Sequence, residues 1–335
     1  MPMPYKRKPP PFIVRCLIGI TMAIIRRVIW CLEKLGLTHR VMASIAPGAQ
    51  KRIKAQNPFR TFVPTAHDVF VATYVKSGTN WMMQIAHQLV HHGNADFEHI
   101  HCVVPWPDTD IMGAMRGYGI PVSDDTVWKA SPEQKRIIKT HFNWDLLPYS
   151  TDARYIMVIR DPKDVFVSSY FFFVKNGSMG DMNISVETWL QLFLSAGFPM
   201  WGSWAVNTAG YWAERHRPNV LIMSFKSMKR DLKGAVRRVA GLLDVKASDD
   251  IIDRVCEKSS LQYMKGIESK FEMWNMIPWI HSGPMIRKGA QGGSSELLSI
   301  EQQRRVDDVF IAELKRLGSD FPYEEFCDIT SPARQ

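Results

Sequence analysis

A strand, a turn and a helix at residues 68–90 constrain the fold most. The run Asp68-Val-Phe-Val-Ala-Thr-Tyr-Val75 is short, apolar and rich in β-branched and aromatic residues, which is typical of a buried strand. Lys76-Ser-Gly-Thr-Asn80 follows, and Trp81 to Val90 has the apolar spacing of a helix. Such a unit aims the unpaired N–H groups of the first helical turn at one point, which favours a phosphate. Since the full Walker A pattern GxxxxGK[ST] is absent, the unit predicts either a phosphate-binding loop or an ordinary turn with a solvated lysine.

Three more strands are predicted downstream, two of them followed by a helix. The predicted strands are Lys135–His141, Ala153–Ile159 and Asn219–Phe225; the helices are Lys163–Tyr170, with Pro162 at its start, and a basic one around Lys229–Leu243. Strands that alternate with helices indicate the α/β class with a central parallel sheet. The length of 335 residues suits one large domain or two small ones.

Basic and titratable side chains stand where three of these strands end. Lys76 and Arg160 directly follow predicted strands, and His141 is the last residue of one. In open parallel sheets, ligands bind beyond the carboxyl ends of the strands. We therefore expect one site to collect all three side chains.

The charge balance favours an anionic partner. Lys and Arg number 42 against 33 Asp and Glu, a formal net charge of +9. A basic surface suits an anionic ligand, a membrane surface or nucleic acid. The basic residues are spread out rather than gathered in dense runs, so we predict no nucleic-acid partner and favour a small molecule rich in phosphate. The five cysteines show no CxxC pattern, which predicts free thiols and a cytoplasmic location.

The N-terminal segment predicts an amphipathic helix. Residues 1–11 are basic and rich in proline, which indicates a disordered arm, and a helical extension is expected over residues 12–50. Between 12 and 37, the longest uncharged run covers residues 16–25, about half of the roughly 20 residues that a membrane-spanning helix needs. Three interpretations stay open: a helix packed on the main domain, an interfacial helix that brings residues 12–37 to a membrane, or a signal peptide or anchor.

Four motifs, in order, resemble those of the cytosolic-type sulfotransferases that use 3′-phosphoadenosine 5′-phosphosulfate (PAPS). They are Tyr74-Val-Lys-Ser-Gly-Thr-Asn-Trp81, Lys139-Thr-His141, Arg160-Asp-Pro-Lys-Asp-Val-Phe-Val-Ser168 and Arg287-Lys-Gly289, and the resemblance covers roughly residues 55–325. It implies a single α/β domain with a phosphate loop like that of kinases. We place this sulfotransferase domain at residues 51–328.

The resemblance also implies roles for individual residues. PAPS would be the co-substrate, with no metal, and His141 the general base, with Lys76 and Lys139 beside the sulfuryl group. The cofactor-binding set that it implies is Lys76, Ser77, Gly78, Thr79, Asn80 and Trp81 at the 5′-phosphosulfate and adenine, and Arg160, Ser168, Arg287, Lys288 and Gly289 at the 3′-phosphate.

Two aromatic residues are expected in the acceptor pocket, and three positions depart from the family pattern. Trp106 and Phe172 occupy places where the family lines its acceptor pocket, although simple core packing is the alternative. Phe225 stands where a tyrosine is often found, Leu261 replaces a phenylalanine beside the adenine, and Gly292-Gly-Ser-Ser295 replaces the usual Gly-Asp-Trp-Lys run.

These observations predict a sulfotransferase that acts on a hydroxyl or amine of a small, lipophilic acceptor by in-line transfer. Two alternatives stay open: a non-catalytic nucleotide-binding or membrane-docking protein on the same fold, and a sulfotransferase for a polar acceptor such as an alkaloid or a sugar. A kinase that uses ATP is disfavoured, because the Walker A glycines are missing.

Overall fold

Four parallel strands form the centre of the protein in a computed structural model, which describes residues 11–111, 116–175, 181–195, 201–272, 285–286 and 292–330. The strands are β1 (Asp68–Thr73), β2 (Arg136–Thr140), β3 (Arg154–Ile159) and β4 (Val220–Ser224), in the order β2-β1-β3-β4. Every residue of β1 is buried. A strand buried on both faces explains the unbroken apolar run, and the four predicted strands and the parallel sheet are confirmed.

The strand order places a switch point beside β1. Asp68 pairs with Arg136 of β2 on one side, and Val69 pairs with Arg154 of β3 on the other. The chain thus leaves β1 outward to β2 and returns past β1 to β3. Ligands of open α/β sheets bind at such a point, beyond the carboxyl ends of the strands.

Helices cover both faces of the sheet. The helices with described ends are α1 (Phe12–Lys34), α2 (Thr38–Ala55), α3 (Thr79–Val90), α4 (Thr126–Lys129), α5 (Pro162–Ser169), α6 (Val186–Ser195), α7 (Trp204–Trp212), α8 (Phe225–Arg230), α9 (Leu232–Leu242), α10 (Asp249–Lys258), α11 (Leu261–Gly266), α12 (Ile300–Arg316) and α13 (Tyr323–Phe326). One turn of π-helix, Tyr170–Lys175, continues α5. One apolar cluster joins the sheet to α3, α9 and α10, and a second joins it to α5, α6, α7 and α12.

Local sequence fixes the start of α5, the helix that follows β3. Pro162 takes the first helical position, where its missing N–H costs nothing, and the Asp161 side chain accepts a hydrogen bond from the N–H of Lys163. The predicted start at Pro162 is confirmed. Because β3 ends only three residues earlier, at Ile159, α5 begins at the edge of the sheet where β1 and β2 also end.

The two N-terminal helices pack unequally. No residue of α1 is buried, and its C-terminal end is attached through Glu33, whose carboxylate accepts hydrogen bonds from the Ser185 N–H (3.0 Å) and the Thr188 hydroxyl (2.8 Å). By contrast, α2 buries Thr38, Ala46 and Ile53. Among the described residues, no helix is long and apolar enough to cross a membrane. The predicted arm and the predicted boundaries at residues 12, 50 and 328 stay predictions.

Candidate active site

The loop between β1 and α3 has the shape of an anion cradle. Lys76 and Gly78 both have positive φ angles, +65° and +99°. A Cβ atom on Gly78 would lie 2.8 Å from Cδ2 of Phe225, so this position requires glycine for space as well as for conformation. The buried Ser77 hydroxyl has no hydrogen-bond partner among the described residues. A strained turn at a helix N-terminus, with an unsatisfied buried hydroxyl, fits a phosphate or sulfate oxygen.

Arg160 is attached to this loop. Its Nη1 donates a hydrogen bond to the Lys76 carbonyl (3.0 Å), and its guanidinium carbon lies 4.7 Å from the centroid of the Phe225 ring. Phe225, which replaces a hydroxyl-bearing tyrosine, therefore offers Arg160 and Gly78 only an aromatic face. Ser168 lies half-buried near the C-terminal end of α5, the helix that begins two residues after Arg160.

The chain after residue 291 is also attached to α5. The N–H groups of Gly292 and Gly293 each donate to the Asp164 carboxylate at 3.1 Å. Arg287, Lys288 and Gly289 lie outside the described residues. The glycines that replace the family's Gly-Asp-Trp-Lys run thus bring the chain that leaves this motif to the helix that carries Ser168.

On the other side of the loop, Trp81 packs against the residues around α11. Its Nε1 donates to the Ser259 carbonyl (2.8 Å), and its ring meets that of Phe225 edge to face at 5.4 Å. Leu261, the replacement for the phenylalanine beside the adenine, is 42% exposed.

His141 is held by two backbone contacts. Its Nδ1 lies 2.9 Å from the Thr73 carbonyl oxygen, and its own N–H donates to Oδ2 of Asp108 at 2.7 Å. A carbonyl oxygen can only accept, so we infer that Nδ1 carries the proton and that Nε2 is the basic nitrogen. Neither contact was predicted from the sequence, because Thr73 and Asp108 lie 68 and 33 residues away from His141.

Burial and the two lysines keep His141 neutral. Burial above all, together with the positive charges of Lys139 and Lys76, lowers its pKa to about 3, against the opposing effect of the Thr73 carbonyl. Burial also lowers the pKa of Lys139, to about 7, although the charge of Asp108 acts in the opposite direction. The structure therefore brings Lys76, Lys139 and His141 within electrostatic reach of one another.

The two predicted pocket aromatics lie against these lysines. Nζ of Lys139 is 3.3 Å from the centroid of the Trp106 ring, and Nζ of Lys76 is 3.9 Å from that of Phe172. The Trp106 and His141 rings are 5.6 Å apart, edge to face. Phe172 belongs to the π-helix turn, a distortion often found at functional sites. Both aromatics thus border the site, and their contact with an acceptor stays a prediction.

A cavity of about 650 Å³ opens beside His141. Its walls are mostly apolar; Phe142 and Leu146 follow His141, Trp201 lies just before α7, and Val206 lies in its first turn. The remaining wall is α2, through residues such as Ala46 and Gln50. A mostly apolar cavity with a few polar groups and a titratable residue of shifted pKa is typical of a small-molecule site. Sequence reasoning did not predict that α2 would line this cavity.

His87, His99 and His101 are core residues. Burial lowers the pKa of His87 to about 3 and that of His99 to about 4, and His101 is 2% exposed. Within the part of the chain that the structure describes, no group of three or more His, Cys, Asp or Glu side chains could hold a metal ion.

The sheet, the phosphate loop and the neutral histidine beside two lysines define an α/β enzyme that transfers a group from an anionic nucleotide. Residues 66–318 match the family model of the sulfotransferase domain. The chain belongs to this family and is a PAPS-dependent sulfotransferase.

Similar proteins agree with this assignment. Mouse sulfotransferase 1B1 is 30% identical over 281 residues, which cover 81% of this chain and 89% of that protein. Mouse sulfotransferase 2A6 is 29% identical over 267 residues, covering 78% and 88%. A crystal structure of retinol dehydratase in complex with androsterone and the inactive cofactor PAP has a TM-score of 0.65 at 21% identity, covering 82% of this chain and 88% of that one. At this identity the last likeness concerns the fold alone.

Proposed function

We propose that this protein transfers the sulfuryl group of PAPS to a hydroxyl of a small, lipophilic acceptor, with His141 as the general base. The observation that carries the proposal is the position of His141: it lines a largely apolar cavity, its Nδ1 is bonded to a carbonyl, and it lies beside Lys139. An acceptor in this cavity would present its hydroxyl to Nε2.

The proton and the charge have separate recipients in this arrangement. As the acceptor oxygen bonds to sulfur, its proton passes to Nε2 of His141, and the bond from sulfur to the phosphate oxygen breaks. Negative charge builds up on the sulfuryl oxygens and on the departing phosphate, where Lys76 and Lys139 stabilise it. A histidine that is neutral in the free enzyme starts in the form that can accept this proton.

The donor nucleotide would lie along the loop and α5. Lys76 and the backbone of Ser77, Gly78, Thr79 and Asn80 would hold the 5′-phosphosulfate, with Trp81 on the adenine. Arg160, Ser168, Arg287, Lys288 and Gly289 would hold the 3′-phosphate. The Arg160–Lys76 contact and the attachment of Gly292 to Asp164 support one continuous anion site. Guanidinium groups suit it because they pair with phosphate oxygens bidentately.

The test measures transfer of radiolabelled sulfate from PAPS to phenols, sterols, lipids, amines and sugars. We expect the wild type to sulfate lipophilic alcohols or phenols and His141→Ala and Lys76→Ala to lose the activity. Preferred transfer to sugars or alkaloids would instead establish the polar acceptor class. Binding of the 3′,5′-bisphosphate (PAP) without transfer to any acceptor would favour the non-catalytic alternative. Thermal stabilisation by PAP but not by ATP would separate both from a kinase.

A cytoplasmic, membrane-associated location is part of the proposal. All five cysteines are free thiols, which suits a reducing compartment. Along α1, five aliphatic side chains at helical spacing are exposed: Ile13 71%, Leu17 57%, Ile20 58%, Ile24 58% and Val28 52%. We call this row the α1 stripe. An amphipathic helix that keeps such a row in solvent suits the interfacial region of a bilayer, where co-sedimentation with vesicles would detect it.

A further inference from the structure

One face of α2 is turned towards His141. The α2 residues that line the cavity include His39, Ala43, Ala46, Gln50 and Ile53. Their spacing of three or four residues puts them on a single helical face. The helix spans Thr38–Ala55, upstream of residues 66–318, which match the sulfotransferase domain. A segment outside the matched region thus completes the cavity of the catalytic base.

Small side chains give this face its shape. Ala43 and Ala46 line the cavity, and Ala46 is only 2% exposed. On the opposite wall, a Cβ atom on Gly202 would lie 3.4 Å from Nε2 of Gln50, so the two walls approach each other closely there. Any larger side chain at residue 46 or 50 would therefore take space that a bound molecule could use.

The two walls are also tied by charge. Nζ of Lys54 lies 3.7 Å from Oδ2 of Asp145, and their side chains are 68% and 61% exposed. This exposed pair joins the C-terminal end of α2 to the chain that follows His141. An exposed pair contributes little to stability, and its position marks the solvent end of the cavity.

We propose that α2 is the specificity wall of the acceptor site and that Ala46 sets the largest acceptor that the cavity admits. The mostly apolar walls fit an extended apolar alcohol or phenol, with its hydroxyl at His141 and its body along α2. This inference rests on the proposed transfer reaction, since it assigns the cavity to the acceptor of that reaction.

In this proposal, the α2 face contacts the body of the acceptor and does not contact the reacting atoms. It therefore affects acceptor binding and not the transfer step. A larger side chain at residue 46 removes space for a rigid multi-ring acceptor and leaves a one-ring acceptor its place beside His141. The loss should appear in KM more than in kcat, as for any change in uniform binding. A clash or a lost contact of one or two methylene groups is worth about tenfold or more in specificity.

The test compares Ala46→Phe with Ala55→Phe for a four-ring sterol and a one-ring phenol, with PAPS as donor. Ala55 is an exposed alanine on the same helix, nine residues away, about two and a half turns, and therefore on the opposite face. We expect Ala46→Phe to lower kcat/KM for the sterol about tenfold or more and to change that for phenol less than about threefold. Ala55→Phe should leave both unchanged.

A second variant covers the case in which Ala46→Phe does not fold, as judged by its thermal midpoint with PAP. Gln50→Trp enlarges a half-buried residue on the same face and should produce the same selective loss. An equal loss for both acceptors with normal PAP binding, or no change in either, would overturn the role of α2. A wild type that binds PAP and sulfates no acceptor would instead refute the proposed reaction.

Discussion

Lys139 is the residue whose charge is most finely balanced in the site. It is 4% exposed and lies against Trp106, and burial brings its pKa down to about 7 despite the nearby charge of Asp108. The free enzyme thus holds a mixture of charged and neutral Lys139 near neutral pH. Since an anion beside it would favour the charged form, binding and proton uptake should be linked.

We therefore predict that PAP binding takes up a proton above pH 7. Below about pH 7, Lys139 is already protonated in the free enzyme. In this range its titration makes no contribution to the pH dependence of the Kd for PAP. At higher pH the free lysine is neutral and the complex is charged, so the Kd for PAP should rise by up to about tenfold per pH unit between pH 7 and 9. Calorimetry in buffers of different ionisation enthalpy measures the uptake directly.

The matched pair of variants for this test is Lys139→Met and Lys135→Met. Lys135 precedes β2 and bonds to the Ala66 carbonyl, at the end of the strand away from the site. We expect Lys139→Met to weaken PAP binding and to flatten its dependence on pH, and Lys135→Met to behave like the wild type. A pH dependence that survives in Lys139→Met would assign the proton to another group.

At the residue scale, the sequence was enough to predict the functional side chains at the strand ends. It was not enough to predict the hydrogen-bond partners that hold His141. Lys76, His141 and Arg160 were predictable because parallel strands end at one edge of the sheet. The Thr73 carbonyl and Asp108 were not, because a backbone acceptor leaves no mark in the sequence. Asp108 also follows a Pro-Trp-Pro segment of no regular pattern, and only the tertiary fold brings it to His141.

Among the elements, α1 leaves the most apolar surface in solvent. Its C-terminal end is fixed to the domain by Glu33, and the α1 stripe is exposed along its whole length. Arg27 and Lys34 lie beside the stripe on the helix, and both are exposed. At an anionic lipid surface, the aliphatic row would be buried among the acyl chains and the flanking cations would pair with the headgroups.

We predict that Ile24→Glu reduces binding to vesicles that contain phosphatidylserine about tenfold or more. Burial of an isoleucine side chain is worth roughly 1.5–3 kcal/mol, and about 1.4 kcal/mol corresponds to a factor of ten. The control is Ala23→Glu, which adds the same charge one position away and off the stripe. Co-sedimentation with anionic and with neutral vesicles measures both.

The comparison of these variants decides between two causes. A selective loss in Ile24→Glu supports insertion of the α1 stripe, whereas an equal loss in both variants would mean that only charge matters. A wild type that leaves anionic vesicles unbound would remove the membrane from the proposal, and the helix would then be a surface element of the domain.

The strands were the most predictable elements and α2 the least. Four apolar runs bounded by polar residues gave β1 to β4, because strands buried on both faces need such runs. The composition of α2, with alanines, a proline and several cations, does not indicate which part of the protein the helix packs against. Its role depends on the face that meets His141, which only the packing determines.

At the scale of the whole molecule, the interior holds several histidines in the neutral form. Burial lowers the pKa of His87, His99, His101 and His141 from the ordinary value of 6.5. In the unfolded chain each would bind a proton below about pH 6.5, so acid favours unfolding. Asp108 and Asp161 act in the opposite direction, because burial raises the pKa of both, that of Asp108 to about 6, but two carboxyls do not balance four imidazoles.

We therefore predict that the free energy of unfolding falls as the pH drops from 6.5 to about 5 and is flat with respect to these groups above 6.5. His87 is the histidine to test, because it lies in the core against Phe97 and has no part in the proposed chemistry. His87→Leu should reduce the slope by one proton, about 1.4 kcal/mol per pH unit, in urea unfolding at pH 7.5, 6.5 and 5.5. The exposed His216 provides the control, since His216→Leu removes a side chain that meets water in both states. An unchanged slope in His87→Leu would contradict the assignment of one of these protons to His87.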